Sequence, residues 1–198
     1  MKKLLPFAAA SLFVLSAAPA LAADDLAKYQ EESRKAAQGF MQQLGGELKK
    51  EISANGPESA IKVCKTLAPA IANELSNKNG WKVARVSLKP RNPLLGAADA
   101  WEQKVLADFD QRAAKGEKPE AMEFSEVVAE PQGKYFRYMK ALAVQPLCLT
   151  CHGAPGDIPE GVKARLAAEY PHDKATGYSA GQIRGAITIK RQIPPSPL

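Results

Sequence analysis

The sequence predicts an α+β fold, with helices in the first part of the chain and antiparallel strands after them. Apolar residues recur at helical spacing up to about residue 76, whereas several later segments alternate apolar and polar residues. Turn residues at 131–133 separate two of these alternating segments, which is typical of a hairpin. At 198 residues, the chain is long enough for one ordinary domain with a core of its own.

Residues 1–22 are predicted to be a cleaved secretory signal peptide. Two lysines precede an apolar run at 4–15 that is too short to span a bilayer, and Ala20-Leu21-Ala22 is a small-x-small cleavage site. An uncleaved membrane anchor is the alternative. Cleavage in a Gram-negative bacterium would deliver a domain of residues 23–192 to the periplasm, without a membrane span. A flexible proline-rich tail is expected at 193–198.

Two helices are predicted at the start of this domain. The first covers residues 24–51, and Gly45-Gly46 is expected to bend or end it. The second begins at Pro57, where the missing N–H of proline costs nothing, and runs to about Ser76. The apolar stripe of the first helix consists of Tyr29, Ala36, Phe40, Leu44 and Leu48.

The rest of the domain is predicted to contain four strands and two further helices. Asp99 is the expected N-cap of the first of these helices. The strands are expected at 81–88, 124–129, 134–142 and 182–191, and the helices at 100–115 and 160–170.

The stretch Cys148-Leu149-Thr150-Cys151-His152 matches the attachment signature of a c-type haem. In such a site each thiol adds across one vinyl group of the porphyrin, and the adjacent histidine is held under the iron. This chemistry needs the oxidising compartment that the signal peptide predicts. We therefore expect one covalently attached haem c, with thioethers at Cys148 and Cys151 and with His152 as an axial ligand.

The third cysteine, Cys64, falls on the apolar face of the second predicted helix. It follows Ile61 by three residues and precedes Ala68 by four. One interpretation is a buried, inert thiol in the core. The other is a thiolate that serves as the sixth ligand of the iron and is protected by that bond. An intermolecular disulfide would need an exposed site.

Other residues could also bind a metal. His172 is the one histidine outside the motif, and its polar surroundings favour a solvent-exposed side chain. The methionines at 41, 122 and 139 are better explained as core or surface residues than as haem ligands. A structural zinc site of Cys64, Cys148, Cys151 and His172 would not explain why histidine follows Cys151 directly. A thioredoxin-like dithiol would need a βαβ pattern, which is missing here.

The net charge of +6 is a mild excess, without a basic run or interleaved aromatic residues. It therefore does not favour nucleic acid as a partner. Arg85 and Arg91 are candidates for binding haem propionates, because guanidinium groups pair well with carboxylates. They could equally be ordinary surface arginines.

The chain resembles a family of periplasmic c-type haem proteins with a PAS-like fold, first described in cyanobacteria. The resemblance spans nearly all of the mature chain. It is carried by residues 60–64, 81–87, Arg91-Asn92-Pro93, 99–102, 148–153 and 185–189. One departure is that Leu94-Leu95-Gly96-Ala97-Ala98 stands where the family often has a further asparagine and a proline.

The resemblance implies an antiparallel sheet of about five strands, long N-terminal helices and an unusual His/Cys pair on the iron. By that resemblance His152 is the proximal ligand and Cys64 the distal one. Such a six-coordinate iron has no open position for a substrate, so we do not expect an enzyme.

Two functions fit these expectations. One is a redox- or gas-responsive haem sensor, in which reduction frees Cys64, CO or NO is a candidate ligand, and a separate signalling partner detects the change. The other is a low-potential electron-transfer protein in which both ligands stay bound.

Overall fold

The structure is a computed structural model that describes residues 23–195. The predicted signal peptide at 1–22 and the last three residues lie outside this range. The first helix, α1 (Ala23–Asn55), is longer than predicted and does not end at Gly45-Gly46. Phe40 and Leu44 are buried just before these glycines. Tertiary packing of the apolar face therefore outweighs the low helix propensity of glycine.

The second predicted helix is divided by a π-helical turn. Helix α2 (Pro57–Lys62) leads into the turn Val63–Leu67, and α3 (Ala68–Asn79) continues the same course. Gly80 ends α3 in the left-handed conformation with φ 71°. Single π turns inside helices are rare and are frequent at functional sites.

The sheet has four described strands in the order β1-β4-β3-β2, and every neighbouring pair is antiparallel. The α+β class and the hairpin are confirmed. The expectation of about five strands is corrected to four within residues 23–195. The strands are β1 (Lys82–Val86), β2 (Glu123–Glu130), β3 (Gly133–Ala143) and β4 (Ile183–Gln192).

Four further helices connect the strands. In α5 (Ala100–Ala114), Asp99 accepts a hydrogen bond from the Glu102 amide, and the Glu102 side chain accepts one from the Asp99 amide. This capping box confirms the predicted N-cap. The others are α4 (Pro93–Gly96), α6 (Leu149–His152) and α7 (Glu160–Glu169). Helix α4 includes part of the segment 94–98, where the sequence differs from the family pattern.

Three apolar clusters hold the elements together. The first lies between one face of the sheet and helices α1 and α3, the second lies under α5 on the other face, and the third joins α2 to α7. Ile193, which we placed in the tail, belongs to the first cluster, and its amide donates to the Lys134 carbonyl. None of the helices in residues 23–195 has the length and apolar character needed to cross a membrane.

Candidate functional site

The Cys-x-x-Cys-His motif lies on two short turns after β3. Cys148 ends a 3₁₀ turn that begins at Pro146, while Cys151 and His152 lie in α6. Gly153 follows, and a Cβ atom there would lie 2.6 Å from the Leu149 carbonyl oxygen. The chain therefore needs glycine directly after the histidine to leave this turn.

One ring nitrogen of His152 is fixed by the backbone. Nδ1 lies 2.6 Å from the Ala175 carbonyl oxygen, and a carbonyl oxygen only accepts, so Nδ1 must carry the proton and donate. Nε2 is then the unprotonated nitrogen, which is the form that binds a metal. Desolvation, followed by the positive charges of Arg184 and Arg91, lowers the pKa of His152 well below its ordinary value. The ring is therefore kept neutral.

Arg91 connects the turn that carries His152 to residues 173–175, which include the carbonyl group that accepts from Nδ1. Its Nε donates to Asp173 Oδ2 at 3.0 Å, and its Nη2 donates to the Cys151 carbonyl oxygen at 2.5 Å. The side chain of Asp173 also accepts a bond of 2.7 Å from the Ala175 amide. The site is thus assembled from three segments that are far apart in the sequence.

Arg184 contacts the other side of the imidazole. Its Nε–H is directed at His152 Nδ1 at 3.2 Å and competes with the Ala175 carbonyl oxygen for that nitrogen. The contact to the carbonyl oxygen is much shorter, at 2.6 Å, and that oxygen can only accept, so it decides in favour of a protonated Nδ1. Arg184 Nη1 donates to Ser87 Oγ at 2.9 Å and to the Lys89 carbonyl oxygen at 3.2 Å. Gly185 follows it, and a Cβ there would lie 2.2 Å from the Val86 carbonyl oxygen, so β1 and β4 approach closely at this point. Arg184 was not among the predicted site residues, because no motif distinguishes it from a surface arginine.

The site carries more positive than negative charge. Within the described residues, neither Arg184 nor Arg85 has a carboxylate within 4.0 Å, and Arg91 pairs with Asp173 alone. Burial, followed by the charges of neighbours that include Arg85 and Arg91, lowers the pKa of Arg184 to about 10. A site with this charge excess is suited to an anionic group.

Cys64 lies in the π-helical turn and is half-buried. The prediction that it shares one apolar face with Ile61 and Ala68 was wrong. Ile61 packs in the cluster with α7, and Ala68 packs in the cluster against the sheet. The wider π turn changes the phase of the helix between them, so Cys64 is outside both buried sets.

The three thiols are free, and Cys151 packs against the cluster that contains Ile61, three residues before Cys64. Burial is the main cause of the raised pKa of Cys151, and the charges of Cys64 and Cys148 raise it further. The pKa of Tyr170, at the end of α7, is raised mainly by burial and then by the charge of Cys64. The fold therefore brings Cys64 into the neighbourhood of the haem motif across more than 80 residues of sequence.

The alternative ligands lie elsewhere. His172 is exposed, and the buried Met122 and Met139 belong to the cluster under α5, on the opposite face of the sheet. Met41 packs against the first cluster, between the sheet and helices α1 and α3. Among residues 23–195, no group of three or more His, Cys, Asp or Glu is arranged to hold a metal ion, so the Cys₃His zinc set is not assembled.

A cleft of about 700 Å³ borders the site without including the motif. Ser87 and Tyr178 line both, and the Tyr178 ring packs edge-on against His152 with 6.3 Å between centroids. We assign the candidate site to the motif rather than to the cleft, because the fixed imidazole, the thiols and the arginines converge there.

Comparison with known proteins relates the chain to one protein family, both by sequence and by fold. The model of the Tll0287-like family matches residues 19–191. The fold is similar to the crystal structure of the cyanobacterial haem protein Tll0287, with a TM-score of 0.62 and 26% sequence identity over 89% of this chain and 100% of that one. No curated protein matches the chain.

Proposed function

Since the chain belongs to the Tll0287-like family, we propose that it is a haem protein that carries one haem c, attached through Cys148 and Cys151. The single observation that carries this proposal is the hydrogen bond from His152 Nδ1 to the Ala175 carbonyl oxygen. It leaves Nε2 unprotonated beside two cysteines at the spacing of a haem attachment motif. The residues present therefore fit the group, with His152 as one axial ligand.

A bound haem would supply an iron whose reduction potential depends on its axial ligands and on the charge around it. We propose Cys64 as the second axial ligand. Cys64 is half-buried in a π turn, and Ile61 on the preceding turn belongs to the cluster against which Cys151 packs, which supports this role better than the role of a core thiol. Arg85, which has no carboxylate partner among the described residues, is proposed to bind a propionate.

The function we propose is that of a periplasmic redox- or gas-responsive sensor, and not of an enzyme. Cys64 lies on the turn between α2 and α3, and these helices pack against α1 and α7. Movement of the Cys64 thiol would therefore act directly on the helical layer, where a signalling partner could detect it. CO and NO are the candidate ligands after reduction.

The second candidate is a low-potential electron carrier. Cys148, Cys151 and His152 are all half-buried rather than enclosed, and an exposed cofactor edge is what a carrier needs. In this case Cys64 would stay in place in both redox states, and the partner would be a redox protein.

The experiment is spectroscopy of the mature protein made in cells that carry c-type haem maturation. Visible absorption and EPR spectra are recorded beside Cys64→Ala and beside Thr66→Ala, an exposed control on the same turn. We expect a low-spin thiolate signature that only Cys64→Ala abolishes. An unchanged Cys64→Ala spectrum would refute the ligand role of Cys64, and a protein that binds zinc without haem would refute the haem proposal.

Addition of CO to the reduced protein separates the two functions. Binding of CO with loss of the Cys64 contact supports the sensor. Retained ligation and no CO binding would support the electron carrier instead.

A further inference from the structure

Arg91 is one of the few buried charged side chains outside the sheet. It lies in the loop between β1 and α4, and only 8% of its surface is exposed. From its sequence context Arg91, like Arg85, was a candidate either for binding a haem propionate or for an ordinary surface arginine. The structure gives Arg91 acceptors within the protein for Nε, which donates to Asp173, and for Nη2, which donates to the Cys151 carbonyl oxygen.

Two of these acceptors are backbone oxygens of the candidate site. Arg91 Nη2 donates to the Cys151 carbonyl oxygen at 2.5 Å and lies 3.5 Å from the Ala175 carbonyl oxygen. The first belongs to the residue before His152, and the second accepts the hydrogen bond from His152 Nδ1. One guanidinium thus spans both the turn that carries the histidine and the group that orients its ring.

Asp173 completes the arrangement. Its Oδ2 accepts from Arg91 Nε at 3.0 Å, and its Oδ1 accepts from the Ala175 amide at 2.7 Å. The Ala175 amide therefore donates to Asp173, and the Ala175 carbonyl oxygen accepts from His152 Nδ1. Arg91 Nη2 lies 3.5 Å from the same carbonyl oxygen. The Arg91–Asp173 pair is nearly enclosed, with 9% and 12% of the two side chains exposed, so water screens it little.

We propose that Arg91 and Asp173 are a positioning pair for His152, and we assign Arg91 this role in place of the propionate. The pair holds the Ala175 carbonyl oxygen where it accepts from Nδ1 and so sets the orientation and donor strength of the imidazole. This inference rests on the proposed function, because it concerns His152 as an axial ligand.

The physical consequence is an effect on the reduction equilibrium. A strong hydrogen bond from Nδ1 makes the imidazole a better electron donor through Nε2, which favours the oxidised metal. Loosening the pair should weaken that bond and make reduction easier. Partners of this kind typically change affinity or activity by about 10- to 100-fold when mutated.

The test is the midpoint potential and EPR spectrum of the haem-loaded Arg91→Lys protein. Lysine keeps the charge but loses the planar fork that bridges the acceptors, so a net-charge effect is excluded. We expect the equilibrium constant for reduction to rise about tenfold, which for one electron equals about 59 mV. Arg34→Lys, which alters an arginine bound to Glu123 away from the site, is the matched control and should change neither readout.

Asp173→Asn is the second variant and decides the matter if Arg91→Lys does not fold. Its charge control is Asp157→Asn, at an exposed aspartate after the motif. Potential and EPR spectrum unchanged from the controls, with haem c still bound, would overturn the positioning role even if the melting temperature fell. A wild-type protein without haem would instead overturn the proposed function and this inference with it.

Discussion

Two regions of this molecule contain a buried arginine side chain, and they differ in how many carboxylates lie near the guanidinium groups. Under α5, Arg137 is 5% exposed and lies 2.7 Å from Asp99, 3.1 Å from Glu102 and 3.9 Å from Glu130. Its guanidinium also stacks over Trp101 at 4.3 Å. Several carboxylates thus surround one cation.

Around His152, arginines outnumber carboxylates. Arg85, Arg91 and Arg184 converge there, and Asp173 is the one described carboxylate within 4.0 Å of any of them. Arg91 is buried and paired with Asp173, whereas Arg85 and Arg184 are half-buried and have no carboxylate partner among the described residues. The comparison teaches that the buried arginine under α5 is matched by carboxylates, whereas the His152 region has more arginines than carboxylates and is suited to an anionic group.

The largest expected effect is on the covalent attachment of haem. Replacing both Cys148 and Cys151 with alanine should abolish it, because no thioether can then form. Haem retained by the protein after denaturing electrophoresis is the measurement. Cys64→Ala is the control and should keep the covalent haem, and covalent haem in the double variant would contradict the assignment.

Next in size is the effect of removing the buried cation under α5. Arg137→Ala leaves the buried Glu102 without its cation and should lower the free energy of unfolding by about 3–5 kcal/mol. Denaturant unfolding measures this change. Arg112→Ala breaks ion pairs on the exposed side of α5 and should cost only about 0–1 kcal/mol. Equal effects of the two variants would remove the basis of the comparison.

A smaller effect is expected at the turn that follows the histidine. In Gly153→Ala the new Cβ would meet the Leu149 carbonyl oxygen at 2.6 Å, and relieving that overlap should cost about 1–3 kcal/mol. Thermal unfolding of the haem-free chain is the measurement. Gly156→Ala, where nothing lies within 4 Å of the new Cβ, is the matched control. A melting temperature lowered equally in both variants would argue against a tight turn.

The smallest expected effect is a pH dependence from an ion pair outside both regions, between Arg34 on α1 and Glu123. Its hydrogen bond to Glu123 is the main reason that the pKa of this carboxyl falls from 4.5 to about 2. Since the pKa is lower in the folded state, this pair contributes stability above pH 4.5 and loses it as the pH falls towards 2. Glu123→Gln should flatten the stability curve in that window. A curve as steep as that of the wild type would exclude Glu123 as its source.

Much of the fold could be predicted from the sequence because its signals are local. The stripe of α1, the Asp99–Glu102 capping box and the hairpin of β2 and β3 each depend on residues a few positions apart. The attachment motif is equally local, since its two thiols and its histidine occupy five consecutive residues.

The errors occurred where distant packing decides the outcome. The π turn at Cys64 divides a helix whose sequence pattern is continuous, and it places Ile61 and Ala68 in different clusters. Ile193 looked like part of a loose tail, yet it is buried by residues from α1 and the sheet. No local pattern contains this information.

The sequence by itself determined the α+β class, the order of the elements and the residues of the Cys-x-x-Cys-His motif. Only the tertiary structure decided which atoms surround His152. Arg91 and Asp173 are 82 positions apart, and the acceptor at Ala175 is a backbone oxygen that carries no signature in the residue type. Helix and strand periodicity is set between neighbours along the chain, whereas hydrogen bonds and charge balance at a site are set by segments that meet after folding.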